Sequence, residues 1–187
     1  MQAQPLEGGF ATPATQSAQA FRAVMQAMAM PGTIHALAGA RPPAPLSPAA
    51  GAVLLTLCDA DTGLYLAGDC DTPEVRAWIA FHTGAPLTGP ECCAFALGDW
   101  AALQPLHRFP PGTPEYPDRS ATLIVERARL DTEGAILTGP GIRDSAALSL
   151  PGVDAIAINH ARFPLGLDFI FTCGDRVAAL PRSTEVA

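Results

Sequence analysis

The chain has 187 residues, 49% of them hydrophobic and 16% charged, which is enough apolar material for one full core and far from the composition of disordered chains. All 11 basic residues are arginine, so no amine is available to hold pyridoxal as an imine or to complete a phosphate-binding P-loop. A net charge of −7 leaves no basic stripe for a nucleic-acid backbone, and no apolar run approaches the ~20 residues of a membrane-spanning helix, so neither nucleic acid nor membrane is an expected partner.

The opening Met-Gln-Ala-Gln-Pro-Leu-Glu lacks the basic-then-apolar pattern of an export signal, which makes the cytoplasm the expected compartment. Cys58, Cys70, Cys92, Cys93 and Cys173 contain no Cys-x-x-Cys pair. They are expected to be reduced, mostly buried thiols, with no metal site.

Phe21, Val24, Met25 and Met28 recur at i, i+3, i+4 and i+7. They predict a helix over about Ala14 to Met30 with this stripe in the core, stopped by Pro31-Gly32. Thr33 to Leu37 reads as a strand, Arg41 to Pro48 as an extended loop, and Ser47-Pro48 as the cap of a buried helix ending at Leu57. Asp59 to Gly63 resembles the start of a calcium loop but continues with Leu64, Tyr65 and Leu66, so a capped turn before a short strand, Leu64 to Ala67, is expected. Thr72-Pro73 caps a helix whose inner face is Val75, Trp78, Ile79 and His82, ended by Gly84.

Cys92 to Leu97 predicts a strand, followed by a short helix from Asp99 to Leu103. The Pro-rich stretch from Phe109 to Pro117 is a surface loop leading through Asp118-Arg119-Ser120 into the strand Ala121 to Val125. Ala135 to Leu137 is a strand that feeds the turn Thr138-Gly139-Pro140-Gly141-Ile142. Gly152 to Ala161 reads as a helix, and Leu167 to Thr172 with Val177 to Leu180 as a hairpin. The order of elements is mixed α/β.

No Gly-x-Ser-x-Gly elbow, His-Glu-x-x-His helix or His-x-His pair occurs, and the four histidines are scattered, so ordinary hydrolase and zinc chemistry have no anchor. The chain nevertheless carries an ordered set of short motifs. They are Gln19-Ala20-Phe21-Arg22 with Met28 to Ile34, Leu54 to Asp59 with Asp61-Thr62, Phe81 to Leu87, Gly112-Thr113 with Tyr116 to Leu123, Thr138 to Ile142, Phe163 to Asp168, and Leu180 to Thr184. In this order they resemble the PhnH family of the bacterial carbon-phosphorus lyase system. Ser183 departs from the more usual Thr but keeps the hydroxyl.

The resemblance implies a three-layer α/β fold with a mixed sheet like the large domain of pyridoxal-dependent transferases, without that cofactor, as a single domain over 1–187 with an N-terminal arm over 1–13. It implies a core subunit needed to couple a phosphonate, such as methylphosphonate, to a nucleoside triphosphate before the C–P bond is cut. Such a subunit belongs to an enzyme complex, ribose 1-methylphosphonate 5-triphosphate synthase and the wider C–P lyase system, and is not expected to be catalytic alone. Its partners would be other core subunits, with a homodimer in isolation. No catalytic residue is carried over. The ligand-binding candidates are His82, Thr83, Asp118, Arg119, Gly139, Gly141, Asp168 and Arg182, with the two arginines foremost because a guanidinium fork suits phosphate or carboxylate. For each of the six polar residues a structural ion pair or a partner contact outweighs ligand binding, and the Gly139 to Gly141 run reads more strongly as a tight turn than as a phosphate cradle. Two functions stay open: an assembly subunit, or a subunit that itself binds the phosphonate or nucleotide.

Overall fold

The computed structural model describes residues 7–187, so residues 1–6 of the expected arm lie outside the described residues. Among these described residues, four α-helices, α1 (Pro13–Ala29), α2 (Pro48–Leu57), α3 (Pro73–His82) and α4 (Val153–His160), accompany nine strands in two sheets. The larger sheet contains β1 (His35–Ala36), β2 (Leu64–Leu66), β3 (Phe95–Asp99), β4 (Thr122–Glu126), β7 (Asp168–Cys173) and β8 (Arg176–Leu180), in the order β1-β8-β7-β4-β3-β2. Strands β2, β3, β4 and β7 are parallel, while β8 runs against both β7 and β1. A smaller antiparallel sheet joins β6 (Ala146–Leu148), β5 (Ala135–Thr138) and β9 (Glu185–Val186).

Strand alternation divides the core between the two faces of the large sheet. Leu97, Ile124, Ile170 and Val177 pack with Val24, Val53, Trp78 and Ile79 beneath α1, α2 and α3. Leu123, Val125, Phe169 and Phe171 pack on the other face with Leu137, Leu148 and Ile156 from the small sheet and α4, together with Leu103, Phe109 and Leu130 from connecting loops. Both faces of the parallel strands are thereby removed from water, as parallel sheets require.

The predicted caps form as expected. Ser47 Oγ accepts from Ala50 N (3.1 Å) and Thr72 Oγ1 from Val75 N (3.2 Å), each ahead of a proline at the first helical position. Asp59 Oδ1 accepts from Asp61 N (3.0 Å) and Thr62 Oγ1 (2.6 Å), closing the capped turn. Cys58, Cys70 and Cys93 are buried, Cys173 is half-buried and Cys92 is exposed, and all five are free.

Four expectations need correction. The inner face of α1 is Ala20, Val24 and Ala27, whereas Phe21 and Met25 are 52% and 51% exposed. Small alanines let α1 lie close against α2 and β8, and that approach turns Phe21 and Met25 outward while Val24 and Met28 of the same stripe stay against the core. The strand expected over 33–37 pairs only at His35 and Ala36. The strand expected from Cys92 begins at Phe95, because Gly89-Pro90 starts a 3-10 turn over Pro90–Cys92. After Asp99 there is a turn rather than a helix, with Asp99 Oδ1 accepting from Ala102 N (2.7 Å). The strands β6 and β9 were not anticipated.

Phe169→Ala is expected to lower stability by about 3–5 kcal/mol, whereas Met25→Ala on the outer face of α1 is expected to change it by no more than ~0.5 kcal/mol. Chemical denaturation of the two variants checks this pairing, and a large loss at Met25 would return the stripe to the core.

Candidate functional site

The entry edge of the parallel strands holds most of the charged residues singled out in the sequence. Register places Thr122 of β4 opposite Asp168 of β7, and the Pro-rich loop arrives there through a 3-10 turn over Pro117–Arg119. Arg182, just beyond β8, reaches back across this edge. Its Nε donates to Asp168 Oδ1 (3.1 Å), its Nη2 to Asp168 Oδ2 (2.5 Å) and to the Ser120 hydroxyl, and its Nη1 to the carbonyl of Pro117 (2.7 Å). The backbone N–H of Arg182 also donates to Asp168 Oδ1 (2.8 Å), while its carbonyl accepts from His160 Nδ1 (2.9 Å) at the end of α4. With side chains only 12% and 21% exposed, Arg182 and Asp168 form a bidentate, largely buried pair that ties together four chain segments.

Arg119 is exposed on the same loop, with its guanidinium 4.1 Å from the Tyr116 ring centroid, and neither it nor the exposed Asp118 has a side-chain hydrogen-bond partner among the described residues. The other candidates lie elsewhere. Gly139 and Gly141 adopt φ of +118° and +82°, and a Cβ on Gly141 would collide with the carbonyl of Ala29 at the end of α1. This turn therefore needs glycine for close packing, and Ile142 N closes it on Gly139 O (3.1 Å).

His82 and Thr83 end α3. The Thr83 hydroxyl donates to Ile79 O (2.9 Å) and accepts from Ala85 N (3.1 Å), a local C-terminal closure. His82 packs against the rings of Trp78 and Phe81, and its Nε2 donates to the Glu7 carbonyl (3.2 Å), which also accepts from Trp78 Nε1 (3.1 Å). These two donors hold the start of the described chain against α3. The eight candidates thus divide into the Arg182 cluster, the α3 terminus and the Gly139–Gly141 turn.

At the opposite, carboxyl edge of the parallel strands lies a group that the sequence reading did not single out. Register aligns Asp99, Glu126 and Thr172 at the ends of β3, β4 and β7. Glu126 accepts from the backbone N–H of Ser47 (2.7 Å) and from the Thr172 hydroxyl (3.1 Å), locking the start of α2 onto the sheet. Burial pushes its carboxyl above the ordinary carboxylate range, against the opposing pull of these hydrogen bonds. Cys70 is pushed up to about 12 by burial and secondarily by the charges of Glu126, Asp99 and Asp69, so its thiol stays protonated and inert. A Glu closing an otherwise apolar strand, Thr-Leu-Ile-Val-Glu, was the available signal.

Arg182→Ala leaves Asp168 charged and unpaired, and is expected to cost about 3 kcal/mol by denaturant titration. Arg182→Lys should recover only part of that, because an ammonium cannot span the same four acceptors. For Glu126, the folded protein holds its proton to a higher pH than the unfolded chain does, so this group's contribution to stability falls as pH rises through that window. Glu126→Gln keeps the acceptor for Ser47 N. Its stability relative to the parent is expected to rise as pH increases through and above the ordinary carboxylate range in denaturation curves, and an unchanged difference would remove Glu126 from the titration.

The family model described as "Bacterial phosphonate metabolism protein (PhnH)" matches residues 8–187. The chain is 41% identical over 196 aligned positions to the Rhizobium meliloti (strain 1021) protein named alpha-D-ribose 1-methylphosphonate 5-triphosphate synthase subunit PhnH, covering 99% of this chain and 97% of that one. It is 32% identical over 179 positions to HtxG of Stutzerimonas stutzeri, named as a candidate C-P lyase subunit, covering 89% and 84% respectively. With seven motifs in family order and a match over nearly its whole length, this chain belongs to the PhnH family of bacterial phosphonate metabolism proteins.

Proposed function

We propose that this protein is a core subunit of a carbon-phosphorus lyase system, needed for coupling a phosphonate to a nucleoside triphosphate ahead of C–P bond cleavage, and that it acts mainly in assembly. Its partners are the other core subunits, its setting is the cytoplasm, and in isolation it covers its apolar surface by forming a homodimer. The chain works as one structural unit with the fold of the pyridoxal-dependent transferases and without their cofactor, consistent with the absence of lysine. The names of its relatives point to a multi-subunit synthase.

The observation that carries this reading is the outer face of α1. Phe21 and Met25 are half-exposed, Met30 is exposed beyond the helix end, and Arg22 is the only charged residue in the 17-residue helix. An outward face normally carries charge, and a run of large apolar side chains without any carboxylate suits burial against another protein.

The second reading, direct binding of the phosphonate or nucleotide, is favoured by Arg119, whose guanidinium has no acceptor among the described residues. Phosphoryl transfer depends mainly on positioning and charge neutralisation, so an arginine contributed in this way would act without a nucleophile on the same chain.

Co-expression with the other core subunits, followed by size exclusion and a phosphonate-coupling assay on the same fractions, tests the two readings. Phe21→Asp with Met25→Asp is expected to lower the recovered complex by about tenfold or more while leaving the isolated fold intact. Complex recovered in full from that double variant would overturn the assembly role of α1. Intact assembly with lost coupling in Arg119→Ala would establish the second reading.

A further inference from the structure

The parallel strands and β1 point their carboxyl ends the same way, since β1 and β7 each run against β8. Two exits from this edge, the Ala38–Arg41 segment after β1 and the Gly174-Asp175 turn after β7, flank a cleft of about 590 Å³. The start of the described chain, Gly8 to Ala11, and Gln16 of α1 close its other sides. In open α/β sheets, ligands sit outside the carboxyl ends of the strands, and the volume falls within the range of small-molecule sites.

Its walls are made mainly of glycine and alanine, with three side chains able to give direction: Gln16, Arg41 and Asp175. Gly39 lies at φ +110°, and a Cβ there would run into the Gln16 amide, so the glycine keeps that side of the cleft open. Arg41 and Asp175 are exposed, and neither enters an ion pair among the described residues. The first turn of α2 contributes nothing to a ligand, because Ala49 N and Ala50 N are spent on Gly174 O and Ser47 Oγ. Gln16 Oε1 already accepts from Thr12 N (2.7 Å), so the chemistry on offer is one guanidinium, one carboxylate, the NH2 of one amide and a smooth wall of small residues.

We infer that this cleft binds a nucleoside 5′-phosphate, with Asp175 accepting from the ribose hydroxyls, Arg41 holding a phosphate group, and the Gly- and Ala-lined wall accommodating sugar and base. A carboxylate suits a cis-diol, which donates two hydrogen bonds, and a guanidinium suits a phosphate. A free phosphate or a small phosphonate would leave most of 590 Å³ unfilled and would find no use for Asp175. A diphosphate or triphosphate would carry its outer groups toward solvent. This inference deepens the second reading above, on which it rests, by giving the nucleotide a place distinct from Arg119 and Arg182.

The test is calorimetric titration of the full chain with AMP, ATP, 2′-deoxy-AMP, ribose 5-phosphate and inorganic phosphate, repeated on Asp175→Asn, Arg41→Ala and Arg119→Ala. The expected result is binding of AMP and ATP, about tenfold weaker binding of inorganic phosphate, and a loss of about tenfold or more in each of the two cleft variants. Asp175→Asn should also remove the preference for AMP over its 2′-deoxy analogue, which a merely structural role for Asp175 would not do. Both positions are exposed, and circular dichroism of the variants keeps a folding defect separate. Binding that is lost in Arg119→Ala and kept in the cleft variants would overturn this inference while preserving the second reading. No binding of any nucleotide at about millimolar concentration would overturn both, leaving the assembly role to its own experiment.

Discussion

Burial on both faces of the β4–β7 ladder is the constraint from which the rest of the molecule follows. Leu123, Ile124, Val125, Phe169, Ile170 and Phe171 are all shielded from water, so neither side of these strands is free to face solvent. Each large aromatic or aliphatic side chain placed there contributes roughly 1.5–3 kcal/mol by leaving water. Two separate sets of elements must therefore be supplied: α1, α2 and α3 on one side, α4 with the small sheet and the Phe109 and Leu130 loops on the other. The hydrogen-bond requirement of the backbone then confines polar side chains to the strand ends, where the two edges acquire different chemistry.

At the entry edge Arg182, Asp168, Ser120 and His160 satisfy one another, while Asp118 and Arg119 face solvent. Arg182 uses its planar fork on Asp168, Ser120 and Pro117, and its carbonyl engages His160, so charge here serves to join loop, strand, helix and C-terminal segment. Removing a partially buried ion from such a set costs more than the pair contributes in net terms, since the remaining charge is left without compensation. At the carboxyl edge the accounting is looser. Glu126 is held by the Ser47 N–H and the Thr172 hydroxyl, and among the described residues no cation pairs with it and neither Arg41 nor Asp175 of the adjoining cleft enters an ion pair. The same sheet thus has one edge tied together by a bidentate ion pair and one edge bordered by an open cleft.

The outer surface of α1 adds a third environment. A helix whose inward face is Ala20, Val24 and Ala27 can approach the sheet closely, and two of the large side chains expected in its core stripe, Phe21 and Met25, are directed outward. A subunit that spends its life in a complex can tolerate such a face because the partner, rather than the chain's own core, removes it from water. This links the packing of one helix to the family's place among subunits of a multi-component enzyme.

The sequence by itself determined the elements whose signals are local: α2 and α3 with their Ser47-Pro48 and Thr72-Pro73 caps, the Asp59 turn, and the β7–β8 hairpin around Gly174-Asp175. These depend on side chains bonding to backbone a few residues away, and on apolar periods readable within one segment. Its ordered motifs also determined the family. The tertiary structure alone decided which side of α1 turns inward, because Phe21 and Val24 satisfy the same helical period and only the neighbouring helix and sheet select between them. It alone paired the short strands β6 and β9 with β5, since two or three residues of partner strand carry no period of their own. It alone brought Arg182 to Asp168, Glu126 to Ser47, and Arg41 to the same cleft as Asp175. These juxtapositions bring together residues 14 to 134 positions apart, and they exist only once the strands have been laid side by side.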